Sequence, residues 1–172
     1  MNYRDIYDYL AETYAVAVTK EEFVDWYDDA ATTIYGSEVS LLPGFRDILD
    51  GLRERGVRVA LVSSSPVDWI EIVRERFDLA FDAVVSADEF DGPGKPDPAL
   101  YEHAAAELGV PTAATVAVED SVHGITAARR AGMTVVGFRF GDAAGTDFGD
   151  ADYAPGDPVA LADLLADLRA AN

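Results

Sequence analysis

Three short stretches of this 172-residue chain carry side chains that could do chemistry. The first is Glu119-Asp120-Ser121, directly after the apolar, β-branched run Thr115 to Val118. Such a run reads as a buried strand of a parallel sheet. Two carboxylates at its end repel each other unless a cation lies between them. A hard divalent ion such as Mg²⁺ prefers oxygen ligands and would relieve that repulsion. Asp120 and Glu119 are therefore candidate metal ligands. The plainer alternative makes Asp120 a helix cap and leaves Glu119 solvated. The second stretch is Ser63-Ser64-Ser65-Pro66, where hydroxyls and free backbone N–H groups at a helix start could hold an anion. A simple serine cap is the competing explanation. The third is Gly94-Lys95-Pro96-Asp97-Pro98. Two prolines stiffen this loop, and a held lysine is a compact positive charge for a phosphate or carboxylate oxygen. The chain has only one other lysine, Lys20, so keeping Lys at 95 where arginine is the rule is informative.

The elements that must position these residues follow from periodicity and from stop signals. Residues 2–14 and 20–35 read as two helices. The second has a Thr19/Glu22 capping box and an apolar side of Phe23, Trp26, Tyr27 and Ile34. Composition shifts between Gly36 and Gly44, a hinge signal. From Pro43 onward helix and strand alternate: helix 44–55, strand 57–62, helix 67–77, strand 82–86, helix 98–108, strand 115–118, helix 121–131, strand 134–138. A Gly/Asp-rich loop with a short strand near Tyr153 follows, and helix 158–170 closes the chain. This alternation implies right-handed βαβ units, and so a doubly wound parallel sheet of the α/β class. All three chemical stretches then fall where strands end, the edge at which open α/β sheets bind ligands. A phosphate together with Mg²⁺ would use every part.

At these residues the chain resembles the haloacid dehalogenase superfamily of phosphohydrolases, over most of residues 40–170. It looks most like the β-phosphoglucomutase-like branch, which also contains sugar-phosphate phosphatases. Ala60-Leu-Val-Ser63-Ser-Ser-Pro66 resembles the second motif of that family. The resemblance implies that Ser63, helped by the backbone of Ser64, binds the transferring phosphoryl group. Gly94-Lys95-Pro96 resembles the third motif, in which Lys95 would neutralise phosphate and nucleophile. Val118-Glu119-Asp120-Ser121-Val-His-Gly124 resembles the fourth, in which Asp120 with Glu119 would hold Mg²⁺. The Ser-x-Ser-Pro form is closer to hexose- and polyol-phosphate phosphatases than to mutases, although a mutase would use the same residues. Residues 1–40 are similar to part of the branch's helical cap, which makes 1–40 a truncated cap and 41–172 the core.

One departure from the family pattern is large. The family's first motif, a strand ending in Asp-x-Asp-Gly-Thr that supplies the nucleophile and the general acid/base, has no counterpart here. Asp150-Ala-Asp152 has the spacing but no apolar strand before it, and Asp88 and Asp91 lack the pattern. The resemblance therefore implies an upstream start for the complete protein and no turnover by these 172 residues. It also implies that the strands over 57–62 and 115–118, which flank the family's first strand, must otherwise close up and pair directly. A module that binds a phosphometabolite or a partner without catalysis is the alternative of a different class.

The net charge of −19 and pI of about 4.1 argue against nucleic acid and anionic membranes as partners. Acid excess with two lysines suggests a cytoplasm of very high salt, where screening is nearly complete. Cysteine is absent, which excludes disulfides and thiolate metal sites. No apolar run is long enough to cross a membrane, and Met1-Asn-Tyr-Arg-Asp lacks a signal-peptide pattern. A cytoplasmic protein acting on a small phosphorylated metabolite is the expectation. No sequence feature specifies an oligomeric state.

Overall fold

The computed structural model describes residues 3–139 and 148–170. Two helices open it, α1 (Tyr3–Thr13) and α2 (Lys20–Thr33). Thr19 starts α2 through the expected reciprocal pair. The Glu22 amide donates to Thr19 Oγ1 at 3.2 Å, and the Thr19 amide donates to Glu22 Oε2 at 2.8 Å. The aromatic stripe of α2 divides. Phe23 packs against Tyr7 and Tyr27 with ring centres 5.5 and 4.9 Å apart, whereas Trp26 is 66 % exposed. The sequence run of aromatics overstated the buried face: Trp26 meets only the Tyr27 ring, edge-on with centres 5.7 Å apart, and stays mostly in solvent. The break in helical structure is narrower than the interval Gly36 to Gly44 over which composition shifts. A five-residue π-helical turn, Ile34–Glu38, prolongs α2, so the break falls over residues 39–44. Gly44, at φ +78°, then opens α3 (Phe45–Glu54).

Four parallel strands follow: β1 (Ala60–Ser63), β2 (Ala83–Ser86), β3 (Val116–Glu119) and β4 (Thr134–Gly137). The helices between them are α4 (Val67–Arg76), α5 (Ala99–Glu107) and α6 (Val122–Arg130), and α7 (Pro158–Ala170) comes last. Glycines at positive φ stop α5 and α6, Gly109 at +64° and Gly132 at +79°. Val57 to Val59, expected in the first strand, lie before it. There the Asp82 carboxylate takes the Val59 amide at 2.8 Å and ends the ladder.

The layers follow from the two-residue alternation of strand side chains. Val135 of β4 packs with Tyr101 and Ala105 of α5 and with Ile125 and Ala128 of α6. Its neighbour Val136 faces the other way, against Leu161 of α7 and Ile48 of α3. β4 is therefore covered on both faces, as in a doubly wound α/β core, whereas β3, expected as a buried strand, buries Ala117 and Glu119 and leaves Val116 and Val118 exposed on its other face.

The strands form two pairs. β1 pairs with β2, from Ala60–Ala83 to Ser63–Ser86, and β3 pairs with β4, from Val116–Thr134 to Glu119–Gly137. β1 and β3 do not pair with each other, so direct closure of 57–62 on 115–118, the alternative to an upstream start, does not occur. Thr115 and Glu119 offer their carbonyls to the β4 side, accepting from Thr134 and Phe138. Alternation then turns the backbone of Val116 and Val118 toward β1. Beyond β4, Tyr153 makes a single parallel bridge to Val136, which is the short strand expected there.

Candidate functional site

The three stretches meet at the carboxyl ends of β1 and β3, with Lys95 at their centre. Its Nζ lies 2.5 Å from Glu119 Oε1, at the end of β3, and 3.5 Å from the carbonyl of Val62, in β1. One ammonium thus ties the two strand pairs together. The Lys95 side chain is only 11 % exposed and that of Glu119 only 6 %. An ammonium has three N–H donors. Two are committed to these partners, and one is left for a further anion.

Glu119 is fully engaged. Oε1 accepts from Lys95 and from the hydroxyl of Tyr101, and Oε2 accepts from Ser121 Oγ at 3.1 Å. Its carboxylate occupies the space that a side chain at 124 would need, since a Cβ on Gly124 would overlap it. Ser121 also caps α6, accepting from the Gly124 amide at 3.0 Å. The cap is therefore Ser121, and Asp120 is free of that task. Burial and the adjoining Glu119 charge hold the Tyr101 phenol well above the usual tyrosine pKa, so Tyr101 remains a donor.

Asp120 is exposed, and its backbone carbonyl accepts from Arg139 Nε at 2.5 Å. The neighbouring acids thus take different environments, one buried against a lysine and one facing water. Among the described residues no group of three His, Cys, Asp or Glu side chains could hold a metal ion. Magnesium is commonly held by one or two carboxylates, with water and phosphate oxygens completing its shell. Asp120 fits that mode.

The serine turn is ordered by its own hydroxyls. Ser63 Oγ accepts from the Ser65 amide at 3.1 Å. Ser86 Oγ, at the end of β2, donates to the Ser65 carbonyl at 2.7 Å and accepts from the Asp88 amide at 3.1 Å. Ser64 is exposed. Pro66 sits at the N-cap of α4, and no side chain caps that helix. A cavity of about 260 Å³ opens beside Ser63 and Ser65, walled by Tyr35, Trp69 and Phe81. A larger one of about 500 Å³ lies between α3 and α7 and touches none of the three stretches.

The acids set aside in the sequence stay apart from this junction in role. Asp152 serves the fold, accepting from Arg129 at 3.1 Å and from the Val135 amide at 2.8 Å. Asp91 is exposed, and Asp88 sits on the Ser86 turn. Sequence reasoning missed Tyr101 and Ser86. The signal for Tyr101 was a lone hydroxyl-bearing ring in the otherwise alanine-rich helix ALYEHAAAE, since a buried phenol needs a hydrogen-bond partner.

A profile of the haloacid dehalogenase-like hydrolase family matches residues 3–132. Hexitol phosphatase B of Escherichia coli is 38 % identical over 117 residues, covering 67 % of this chain and 52 % of that protein. The chain thus spans about half the length of that curated relative. Among solved structures, CbbY from Rhodobacter sphaeroides in complex with phosphate superposes with a TM-score of 0.72 at 24 % identity, over 83 % of this chain and 65 % of the other. A β-phosphoglucomutase from Clostridium difficile gives 0.71 at 21 %, over 91 % and 71 %. At such identities these two similarities speak for the fold.

Proposed function

Since the chain belongs to the haloacid dehalogenase-like hydrolase family, we propose that it forms the phosphoryl-binding part of a Mg²⁺-dependent phosphatase acting on small phosphorylated sugars or polyols. The observation that carries this reading is the Lys95 ammonium, held between β1 and β3 with one donor uncommitted. Its charge would draw a phosphoryl oxygen to the junction. Ser63, the exposed Ser64 and the uncapped first turn of α4 lie on the β1 side to receive the other oxygens. The hexitol phosphatase likeness favours a sugar or polyol ester as substrate. Asp120 would hold Mg²⁺, whereas Glu119, the other candidate ligand, has both oxygens engaged by Lys95, Tyr101 and Ser121. When bound, the ion would neutralise developing charge on the phosphoryl group. Family chemistry runs through an aspartyl-phosphate. No Asp-x-Asp strand end is present here to form it, so the 172 residues should bind phosphate without turning esters over. We also place the protein in the cytoplasm of a high-salt cell, on the strength of its charge of −19.

Titration calorimetry tests this directly. The wild type should bind inorganic phosphate in the presence of Mg²⁺, and Asp120→Asn should weaken Mg²⁺ binding by about tenfold or more, while His123→Ala, exposed on α6, should leave it unchanged. Absence of phosphate binding would remove the reading. Mg²⁺-dependent hydrolysis of p-nitrophenyl phosphate by this chain would instead return Asp88, Asp91 or Asp150 as nucleophile candidates. The full engagement of Glu119 also favours a second reading, a phosphometabolite- or partner-binding module without catalysis. Turnover by any extended form carrying an Asp-x-Asp strand would exclude it. A mutase of the same branch would instead show transfer between sugar positions.

A further inference from the structure

We propose that Tyr101 is the positioning residue for Lys95, acting on both the ammonium and its counter-ion, and that Glu119 serves as the anchor for that lysine. The role as a phosphoryl-positioning device rests on the phosphatase reading; the positioning itself does not. Tyr101 touches both partners of the ion pair. Its hydroxyl donates to Glu119 Oε1, the oxygen that also accepts from Lys95. Its ring lies under the ammonium, with Lys95 Nζ 5.1 Å from the ring centre. A cation over an aromatic face is attracted by the ring quadrupole. The phenol thus fixes Lys95 from two directions: along the Nζ–Oε1 line through the shared oxygen, and perpendicular to the ring. Ser121 holds Oε2 from the other side, so the carboxylate cannot swing without breaking several bonds. Tyr101 is 5 % exposed, and it sits in the first turn of α5 among the buried Leu100, Ala104 and Ala105. That is the arrangement a precisely placed charge requires, since a flexible four-carbon stem does not place an ammonium unaided.

The pair of carboxylates then divides its work. Glu119, saturated by Lys95, Tyr101 and Ser121, orients the lysine, and only Asp120 faces solvent to meet a cation.

The chain's two lysines make the test self-controlled. Lys95 is nearly buried, and Lys20, paired with Asp8 on the remote α1–α2 surface, is 46 % exposed. Acylation by an amine-reactive ester, followed by peptide mass spectrometry, gives a rate for each. Tyr101→Phe keeps the ring and removes only the hydroxyl. In that variant Glu119 loses the hydroxyl that fixes its Oε1 and can turn away from the ammonium, so Lys95 should be labelled about tenfold faster, and Lys20 should be labelled at the wild-type rate. Glu119→Gln should release Lys95 at least as much. Inorganic phosphate affinity should fall by about tenfold in Tyr101→Phe. An unchanged Lys95 rate would overturn the proposal, as would a parallel rise at both lysines, which reports general loosening. If the wild type binds no phosphate but Lys95 alone responds to Tyr101→Phe, the phosphatase reading fails and the positioning stands.

Discussion

At the scale of single residues, Lys95–Glu119 is the most deeply buried ion pair among the described residues. Both side chains are almost wholly removed from water, and an isolated buried charge is costly. Removing one partner of a buried pair therefore strands the other. Lys95→Met should destabilise the fold by about 3–5 kcal/mol, measured by urea denaturation. Replacing both, as Lys95→Met with Glu119→Met, should recover much of that loss, because two apolar side chains of similar volume leave no charge unmatched. Recovery should be incomplete, since Tyr101 and Ser121 then lose their acceptor. A double variant as unstable as Lys95→Met alone would show that the fold depends on packing by these particular side chains. Neither the pairing nor its depth could be read from a lysine and a glutamate 24 positions apart; the flanking prolines spoke for a fixed backbone at Lys95 and not for the partner of its ammonium.

At the scale of elements, much of the chain was legible because local rules operated without competition. The Thr19/Glu22 capping box and the glycine stops at 109 and 132 both act within a few positions of sequence. The Glu22 pKa is lowered, first by the Thr19 backbone hydrogen bond and then by the Thr19 side chain. A depressed carboxylate contributes stability that is present above its unfolded value, near 4.5, and is lost as pH falls through the folded value. Amide protection in the first turn of α2 should therefore fade on acidification below about pH 4.5, and Glu22→Gln should remove that dependence. What was not legible is long-range. Direct pairing of β1 with β3, the less favoured of the two alternatives, does not occur; at the carboxyl ends of the two strands Lys95 bridges Val62 and Glu119 instead. Exchange should report this directly. In β3 the amide of Ala117, on the β4 side, should exchange at least about tenfold more slowly than that of Val118, on the β1 side. Equal protection would mean that the two strand pairs join into one ladder in solution. The aromatic side of α2 was over-read as well: Trp26 fits the helical period, but it packs only against Tyr27 of its own helix and remains mostly exposed.

At the scale of the whole molecule, the charge dominates. Thirty-two acidic side chains face thirteen Lys and Arg, a balance of −19. A chain of this length folds to a radius of gyration of about 16 Å. In 0.01 M salt the Debye length is about 30 Å, so nearly every carboxylate feels nearly every other, and the compact state suffers the self-repulsion that the extended chain largely escapes. By 0.15 M the Debye length has shrunk to about 8 Å, and repulsion is confined to near neighbours. The ion pairs respond in opposite senses. Exposed ones such as Lys20–Asp8 weaken with screening, but such pairs contribute little to begin with. Lys95–Glu119 is shielded from salt by its burial. Net repulsion therefore decides the sign, and added NaCl should stabilise the fold. Each 1 kcal/mol of relieved repulsion raises the melting temperature by about 2–4 °C for a protein of this size, so a rise of several degrees is expected. Most of it should fall between 0.01 and 0.15 M, where the Debye length changes most. That placement separates screening from the general strengthening of apolar burial by molar salting-out salts, which would begin only at much higher concentration. Calorimetric scans at constant pH across this range measure it. A melting temperature that stays flat to 0.15 M would show that the surface carboxylates are spaced widely enough to ignore one another, and would leave the acidic composition without a role in stability.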